Sequence, residues 1–119
     1  MEFSDTKPIF RQIIEYCYLR ILSGEWEVGG RIPSTKELAV TLAVNNRTVL
    51  KAYDEMHDLG VIYQKRGLGY FISAEANSLI LAGRRREFMD VTLPEFIAQM
   101  RVLGLTSADI LPLLPQGEG

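Results

Sequence analysis

A chain of 119 residues holds one small domain, or a small domain with an appendage. Its 47% apolar content supports a core, yet no run approaches the ~18 consecutive apolar residues of a membrane span. A net charge of -2 gives no bulk signal for nucleic acid, and a single cysteine, Cys17, excludes an intrachain disulfide framework or a cysteine metal site.

The opening MEFSDTKP lacks a basic region followed by an apolar run, so no secretory signal is expected and a cytoplasmic location follows. Residues 1–7 read as a loose arm. Pro8 suits the first turn of a helix, with Asp5 and Thr6 as candidate caps. From 8 to about 23, Ile9, Ile13, Ile14, Cys17, Ile21 and Leu22 recur at helical spacing, and Phe10, Tyr16, Tyr18 and Leu19 broaden the apolar face. Arg11 and Arg20 fall outside the stripe and read as solvated. Ser23-Gly24 ends the helix. The connection GEWEVGGRI is expected to tuck Trp26 and Val28 against the core. Ile32, which precedes Pro33, should be extended, as a short strand would be.

Residues 33–56, PSTKELAVTLAVNNRTVLKAYDEM, are the centre of the chain. Ser34, followed three residues later by Glu37, forms a capping box that starts a helix over about 35–42. Ala43-Val44-Asn45 is the turn. Asn45 or Asn46 caps a second helix over about 46–59. Leu38, Ala39, Leu42 and Val44 face Val49, Ala52, Tyr53, Met56 and Leu59, while Asn45, Asn46, Arg47, Thr48 and Lys51 gather where the second helix begins. This is the pattern of a helix-turn-helix DNA reader. Gly60 stops the helix. Val61–Tyr63 and Tyr70–Ile72 read as short strands joined by the basic, glycine-rich turn Lys65-Arg66-Gly67-Leu68-Gly69, which makes a wing.

After Ser73 the character changes. Residues 76–90 read as an amphipathic helix with Leu79, Ile80, Leu81, Phe88 and Met89 apolar and Arg84, Arg85 and Arg86 clustered. Thr92-Leu93-Pro94-Glu95 reads as a capped start for a separate helix carrying Phe96, Ile97, Met100, Leu103 and Leu105. Thr106 or Ser107 caps a short last helix with Ile110, Leu111, Leu113 and Leu114, which Pro112 shortens or distorts. Residues 115–119 are expected to fray. The fold class is mainly α with a small β wing: a winged helix-turn-helix domain over 1–75 and a helical dimerisation tail over 76–119. The tail has more apolar faces than it can bury by itself, so it is expected to pair with a second copy through Leu79, Phe88, Phe96, Ile97, Met100, Leu103, Ile110 and Leu111.

These motifs in this order resemble the GntR family of bacterial winged-helix regulators, and within it the short YtrA-like branch. The resemblance rests on PIFRQIIEYCYLRILSG, GEWEVGGRIPSTKELA, LAVNNRTVLKAYDEMHDLGVIY and KRGLGYFI, which cover about residues 8–73, and on LGLTSADI in the tail. It implies DNA contacts from Arg31, Ser34 and Lys36, from Asn45, Asn46, Arg47, Thr48 and Lys51, and from a wing tip shaped by Gly67 and Gly69. Two departures stand out. The short branch often carries Asn-Pro-Asn where this chain has Asn45-Asn46-Arg47, and position 50 is leucine where the wider family often has arginine. Both bear on the operator sequence. The branch is commonly linked to transporter operons.

The chemistry agrees with the resemblance. Arg47 can donate two hydrogen bonds to guanine, and Asn45 or Asn46 can pair with adenine. Thr48 and Lys51 suit phosphate or mixed contacts, Ser34 and the start of its helix suit a phosphate, and Lys65 and Arg66 suit the neighbouring backbone or minor groove. Arg31 has a rival partner in Glu37 or an acidic residue near Asp58, and Asn45 and Asn46 have a rival reading as turn and cap residues only. The expected function is a sequence-specific regulator, by default a repressor, bound as a homodimer to a palindromic double-stranded operator. The alternative is a winged-helix protein-interaction module without sequence-specific DNA binding, which the acidic net charge favours. An unidentified small-molecule effector stays open. An enzyme is not expected: His57 is the sole histidine, Cys17 lies on a different helix, and neither a metal set nor a phosphate loop is present, so no cofactor or metal is implied.

Overall fold

The computed structural model describes residues 2–117. It divides into two compact units, one ending at Ala82 and one beginning at Gly83. In the first, α1 (Ile9–Leu22), α2 (Thr35–Leu42) and α3 (Asn46–Asp58) precede the hairpin β1 (Ile62–Lys65) and β2 (Gly69–Ile72), and α4 (Ala76–Glu87) begins; its residues from Gly83 on belong to the second unit.

Pro8 stands just before α1 with its ring-fixed φ of -54°. The helix buries Ile13, Ile14, Cys17 and Ile21. It also buries Gln12, whose Nε2 donates to the carbonyls of Ser4 and Lys7 at 2.8 Å each, while Ser4 N–H donates to its Oε1 at 2.9 Å. Phe3 packs on the core beside it. The expected loose arm is therefore tied down over residues 3–7, because one buried amide satisfies the backbone of the incoming segment.

The capping box at α2 forms as expected: Glu37 N–H donates to Ser34 Oγ at 3.1 Å, and Ser34 N–H donates to Glu37 Oε1 at 3.0 Å. Ala43 ends α2 in the left-handed region at φ 55°, and Val44 N–H then reaches back to Ala39 O at 3.0 Å. Asn45 is the residue that caps α3, its Oδ1 accepting from Arg47 N–H at 2.8 Å. Val49, Ala52, Tyr53 and Met56 of α3 are buried against Leu38, Ala39 and Leu42 of α2 and the inner face of α1. Leu59 falls past the end of α3 and is exposed, and Val28 is exposed as well, so neither belongs to the core. Trp26 does pack on it, edge-on to Tyr16 with ring centres 6.4 Å apart.

The hairpin pairs Ile62 with Ile72, Tyr63 with Phe71, Gln64 with Tyr70 and Lys65 with Gly69. Residues 29–32 zip onto its second strand: Ile32 N–H donates to Tyr70 O at 3.0 Å, Ile72 N–H to Gly30 O at 3.1 Å, and Arg31 forms a bridge with Phe71. The extended Ile32 is fully in the core, as are Ile62 and Ile72, and Ala76 and Ile80 of α4 close the same core.

In the second unit the helical backbone continues where a break was expected. A π turn (Phe88–Thr92) leads into α5 (Leu93–Val102), and Thr92 has helical φ and ψ with no capping bond. Pro94 explains the local form. It has no N–H to donate, and an ordinary helical turn would set its ring against the carbonyl four residues back. The turn widens instead, with Leu93 N–H bonded to Phe88 O. After Gly104, α6 (Ser107–Ile110) starts with Thr106 N–H bonded to Asp109 Oδ2 at 2.8 Å, and Pro112 sits in a 3₁₀ turn (Leu111–Leu113), so the last helix is short as expected. The expected fraying at 118–119 lies outside the described residues. No single helix among the described residues is long and apolar enough to cross a membrane.

Candidate nucleic-acid interface

The start of α3 presents Asn46 and Arg47 to solvent, with Leu50 following one turn on and 40% exposed. Asn45 spends its carbonyl oxygen on the cap, which leaves its amide nitrogen on the outer side. Thr48 is half-buried and Lys51 exposed. Arg47, Lys36 and Arg66 make no ion pair among the described residues, so their charges are available to a ligand.

The first helix takes part in this surface, which the sequence did not announce. Ile9 and Phe10 of α1 join Arg47, Thr48 and Lys51 around an open depression of about 420 Å³. Lys51 Nζ lies 4.1 Å from the centre of the Phe10 ring, inside the cation–π range. Arg11, read from sequence as solvated, is exposed and also pairs with Glu55, one turn beyond Lys51 on α3. Phe10 was legible only as part of a broad apolar face, since nothing in the sequence sets α1 beside the start of α3.

At α2, Lys36 is exposed and Ser34 is committed to the cap. The backbone N–H of Ser34, then its hydroxyl, hold the Glu37 carboxyl below its ordinary value, with Arg31 adding to the effect. Arg31 does find its rival partner: Nη2 lies 3.5 Å from Glu37 Oε1, and Nε donates to Leu68 O at 3.0 Å. In the wing, Leu68 N–H donates to Lys65 O at 2.9 Å, and Gly67 and Gly69 take φ of 77° and 109°, values that glycine adopts without strain. Lys65 Nζ sits 4.7 Å from the Phe71 ring, which stacks on Tyr63. Arg66 and Gly67 form the exposed tip. Arg31, Ser34, Lys36, Asn45, Asn46, Arg47, Thr48, Lys51, Lys65, Arg66, Gly67 and Gly69 thus all lie in the first unit, at the starts of α2 and α3 and in the wing.

Of the residues expected to pair two copies, Ile97, Met100, Ile110 and Leu111 line an open apolar groove of about 370 Å³ together with Leu105 and Leu114. Phe88, Phe96 and Leu103 are exposed elsewhere on the second unit, and Leu79 is half-exposed on the first. No group of three or more His, Cys, Asp or Glu able to hold a metal occurs among the described residues. Burial pushes the Cys17 thiol up to about 12 against a smaller opposing pull from Arg20, which leaves it a protonated core residue at neutral pH.

A helix-turn-helix whose second helix offers an exposed Asn–Arg start, flanked by a basic two-stranded hairpin, defines a winged-helix DNA-binding protein. Residues 10–72 match the family of bacterial regulatory proteins described as the gntR family. The chain is 34% identical over 110 residues to the HTH-type transcriptional regulator YhcF of Bacillus subtilis, covering 92% of this chain and 89% of that one. It is 38% identical over 77 residues to the HTH-type transcriptional repressor YtrA of the same organism, covering 65% of this chain and 59% of that one. A GntR family transcriptional regulator from Listeria monocytogenes superposes with a TM-score of 0.74 at 31% identity, over 93% of this chain and 96% of the other. The DNA-binding domain of AraR in complex with operator ORR3 superposes with a TM-score of 0.56 at 25% identity, over 61% of this chain and 88% of that one. The chain belongs to the gntR family, in its short YtrA-like branch. It is a DNA-binding transcriptional regulator.

Proposed function

We propose that the chain is a repressor that binds a palindromic operator as a homodimer. Each subunit sets α3 in the major groove of one half-site, and the half-sites lie about one helical turn apart. Arg47 reads a guanine, Asn46 faces the neighbouring base, Thr48, Lys51, Lys36 and the Ser34 helix start hold phosphates, and Lys65 and Arg66 hold the backbone beside the wing. The observation that carries this is the exposed Arg47, without an ion pair among the described residues, in the first turn of a fixed recognition helix. Repression is supported by the likeness to the repressor YtrA. By its resemblance to the short branch, a transporter operon is the target.

The homodimer is supported by the second unit, where no described residue is buried although Phe88, Met89, Val102, Leu103 and Leu113 are all exposed there. Apolar surface on that scale is covered in solution by a matching surface, and a second copy supplies one by symmetry.

The test is selection of genomic fragments by the purified chain at low and moderate salt, with the mass of the complex measured. One palindromic site bound by two chains is expected. Arg47→Ala should weaken binding by about 5- to 150-fold for each half-site, the worth of one bidentate base contact. Leu103→Asp should give a monomer whose first unit stays folded, with weakened operator binding. Sequence-independent binding would remove Arg47 from its role as base reader. A folded dimer with no DNA affinity at either salt would favour a protein-interaction module.

A further inference from the structure

We propose that Arg31 is a positioning residue: its guanidinium clasps the wing turn to the start of α2 and so sets where Lys65 and Arg66 meet DNA. The inference rests on the wing reading given above and adds the device that fixes the wing.

Arg31 starts from a fixed place. Its backbone bridges Phe71 of β2, between the Gly30 and Ile32 hydrogen bonds to the same strand. From there the side chain runs across the turn. Nε donates to Leu68 O at 3.0 Å, and Nη2 lies 3.5 Å from Glu37 Oε1. That carboxylate oxygen is the one that accepts Ser34 N–H at the helix start. One planar group therefore ties together a wing carbonyl and the α2 capping box, 37 residues apart in sequence in the case of the wing bond. Gly69 makes room for it: a Cβ there would lie 3.1 Å from Nε.

The strand ladder ends at the Lys65–Gly69 pair, so the turn beyond it draws no order from the paired strands. Leu68 N–H also closes the turn onto Lys65 O, so the residue that Arg31 holds is part of the loop that carries the two cations. Without the clasp, Lys65 and Arg66 remain on the chain but are no longer held at one distance from α2. A lysine at 31 keeps the charge but not the fork that reaches two acceptors in different directions. A simple phosphate contact would survive Arg31→Lys, and a clasp would not.

The first test needs no DNA. Arg31→Lys should cut faster with trypsin after Lys65 and Arg66 than wild type does, at an unchanged melting temperature. Equal cleavage rates would overturn the clasp. The second test is the salt dependence of affinity for the tightest duplex that wild type selects from a random-sequence library. Each neutralised phosphate contributes about 0.9 to the slope of log K against log salt, so Arg31→Lys should lower the slope by about 2 per subunit. Adding Arg31→Lys to Lys65→Ala/Arg66→Ala should then change nothing further. An unchanged slope in Arg31→Lys, with a drop of about 1 in Arg31→Ala, would make Arg31 an ordinary phosphate contact and overturn the proposal while the wing reading stands. A Lys65→Ala/Arg66→Ala chain that binds as wild type would remove the wing reading, and the DNA role of the clasp with it.

Discussion

Tyr53→Phe isolates one bond in the heart of the helix-turn-helix. Tyr53 is fully buried, and its hydroxyl donates to Pro33 O at 2.7 Å. Its ring packs edge-on to Tyr70 of the wing, with centres 5.1 Å apart. Phenylalanine keeps the ring, its volume and that contact, and removes only the donor. The Pro33 carbonyl is then left without its partner, which costs about 1–3 kcal/mol when no water replaces it. Pro33 is itself half-buried, so partial solvation places the expected loss at about 1–2 kcal/mol. For a unit of this size that lowers Tm by about 4–15 °C. The assay is urea and thermal unfolding followed by circular dichroism, at one protein concentration because association would shift the midpoint. The urea midpoint should fall with an unchanged slope. Because Pro33 directly precedes the Ser34 cap, the loss falls on the joint between α3 and the entry to α2. A change within about 0.5 kcal/mol would refute the reasoning and mean that the hydroxyl and the carbonyl exchange their bond for water at no net cost.

Cys17 should resist Ellman's reagent at neutral pH until the chain unfolds; labelling at the rate of an exposed thiol would contradict its burial. Its raised pKa means that the neutral thiol stabilises the fold below its ordinary value of 9.0, and that this contribution disappears as pH rises from there through about 12. Glu37 works in the opposite sense. Its lowered pKa means that the carboxylate stabilises the fold above its ordinary value of 4.5 and that the benefit is lost as pH falls below it. The stability difference between wild type and Glu37→Gln should therefore shrink in acid, and a difference that ignores pH would exclude the capping box as its source. Ala43→Gly should raise stability by about 0.5–1 kcal/mol in urea unfolding, since relief of the left-handed alanine at φ 55° exceeds the added freedom of the unfolded chain. Destabilisation by the same amount would show that alanine is unstrained there.

The elements that local chemistry dictates were legible in the sequence. Ser34 and Glu37 announce their helix because the capping box needs only residues three apart, and the stripes of α1 and α3 follow from their own periodicity. The basic glycine-rich turn marks the wing for the same reason, with strand bounds shifted by a residue or two. What stayed hidden depends on distant partners. Phe10 under Lys51 and Arg11 on Glu55 require α1 to lie beside α3, and Gln12 securing the N-terminal segment requires knowing where that segment returns. Thr92-Leu93-Pro94-Glu95 misled for a different reason. A cap followed by proline normally starts a helix, but a π turn absorbs a proline without ending the helix that precedes it. Residues 31 to 70 carry six basic side chains against four acidic ones, yet net charge alone did not disclose that Arg11 pairs with one of those acids.

The two units differ in how they satisfy their apolar side chains, and that difference bears on how the reading heads are presented. The first unit buries a continuous core of isoleucine, leucine, valine, methionine and Tyr53 from every one of its helices and both strands. The second has helices with correct local signals, including the Thr106 start and the proline-adapted turn, and no buried side chain among its described residues. Ordering a residue costs on the order of 1–2 kcal/mol, and apolar burial returns about 25 cal/mol per Å². Helices that only half-bury Leu93, Met100 and Ile110 cannot meet that cost by themselves, so under the proposed dimer the tail acquires its stability from association. Folding of the tail and pairing of the subunits then become one equilibrium. The wing and α3 supply few cations per chain, and a duplex with two half-sites engages both chains at once, which multiplies a modest single-subunit affinity. A substitution that weakens the tail would then reach operator occupancy without touching a residue near DNA.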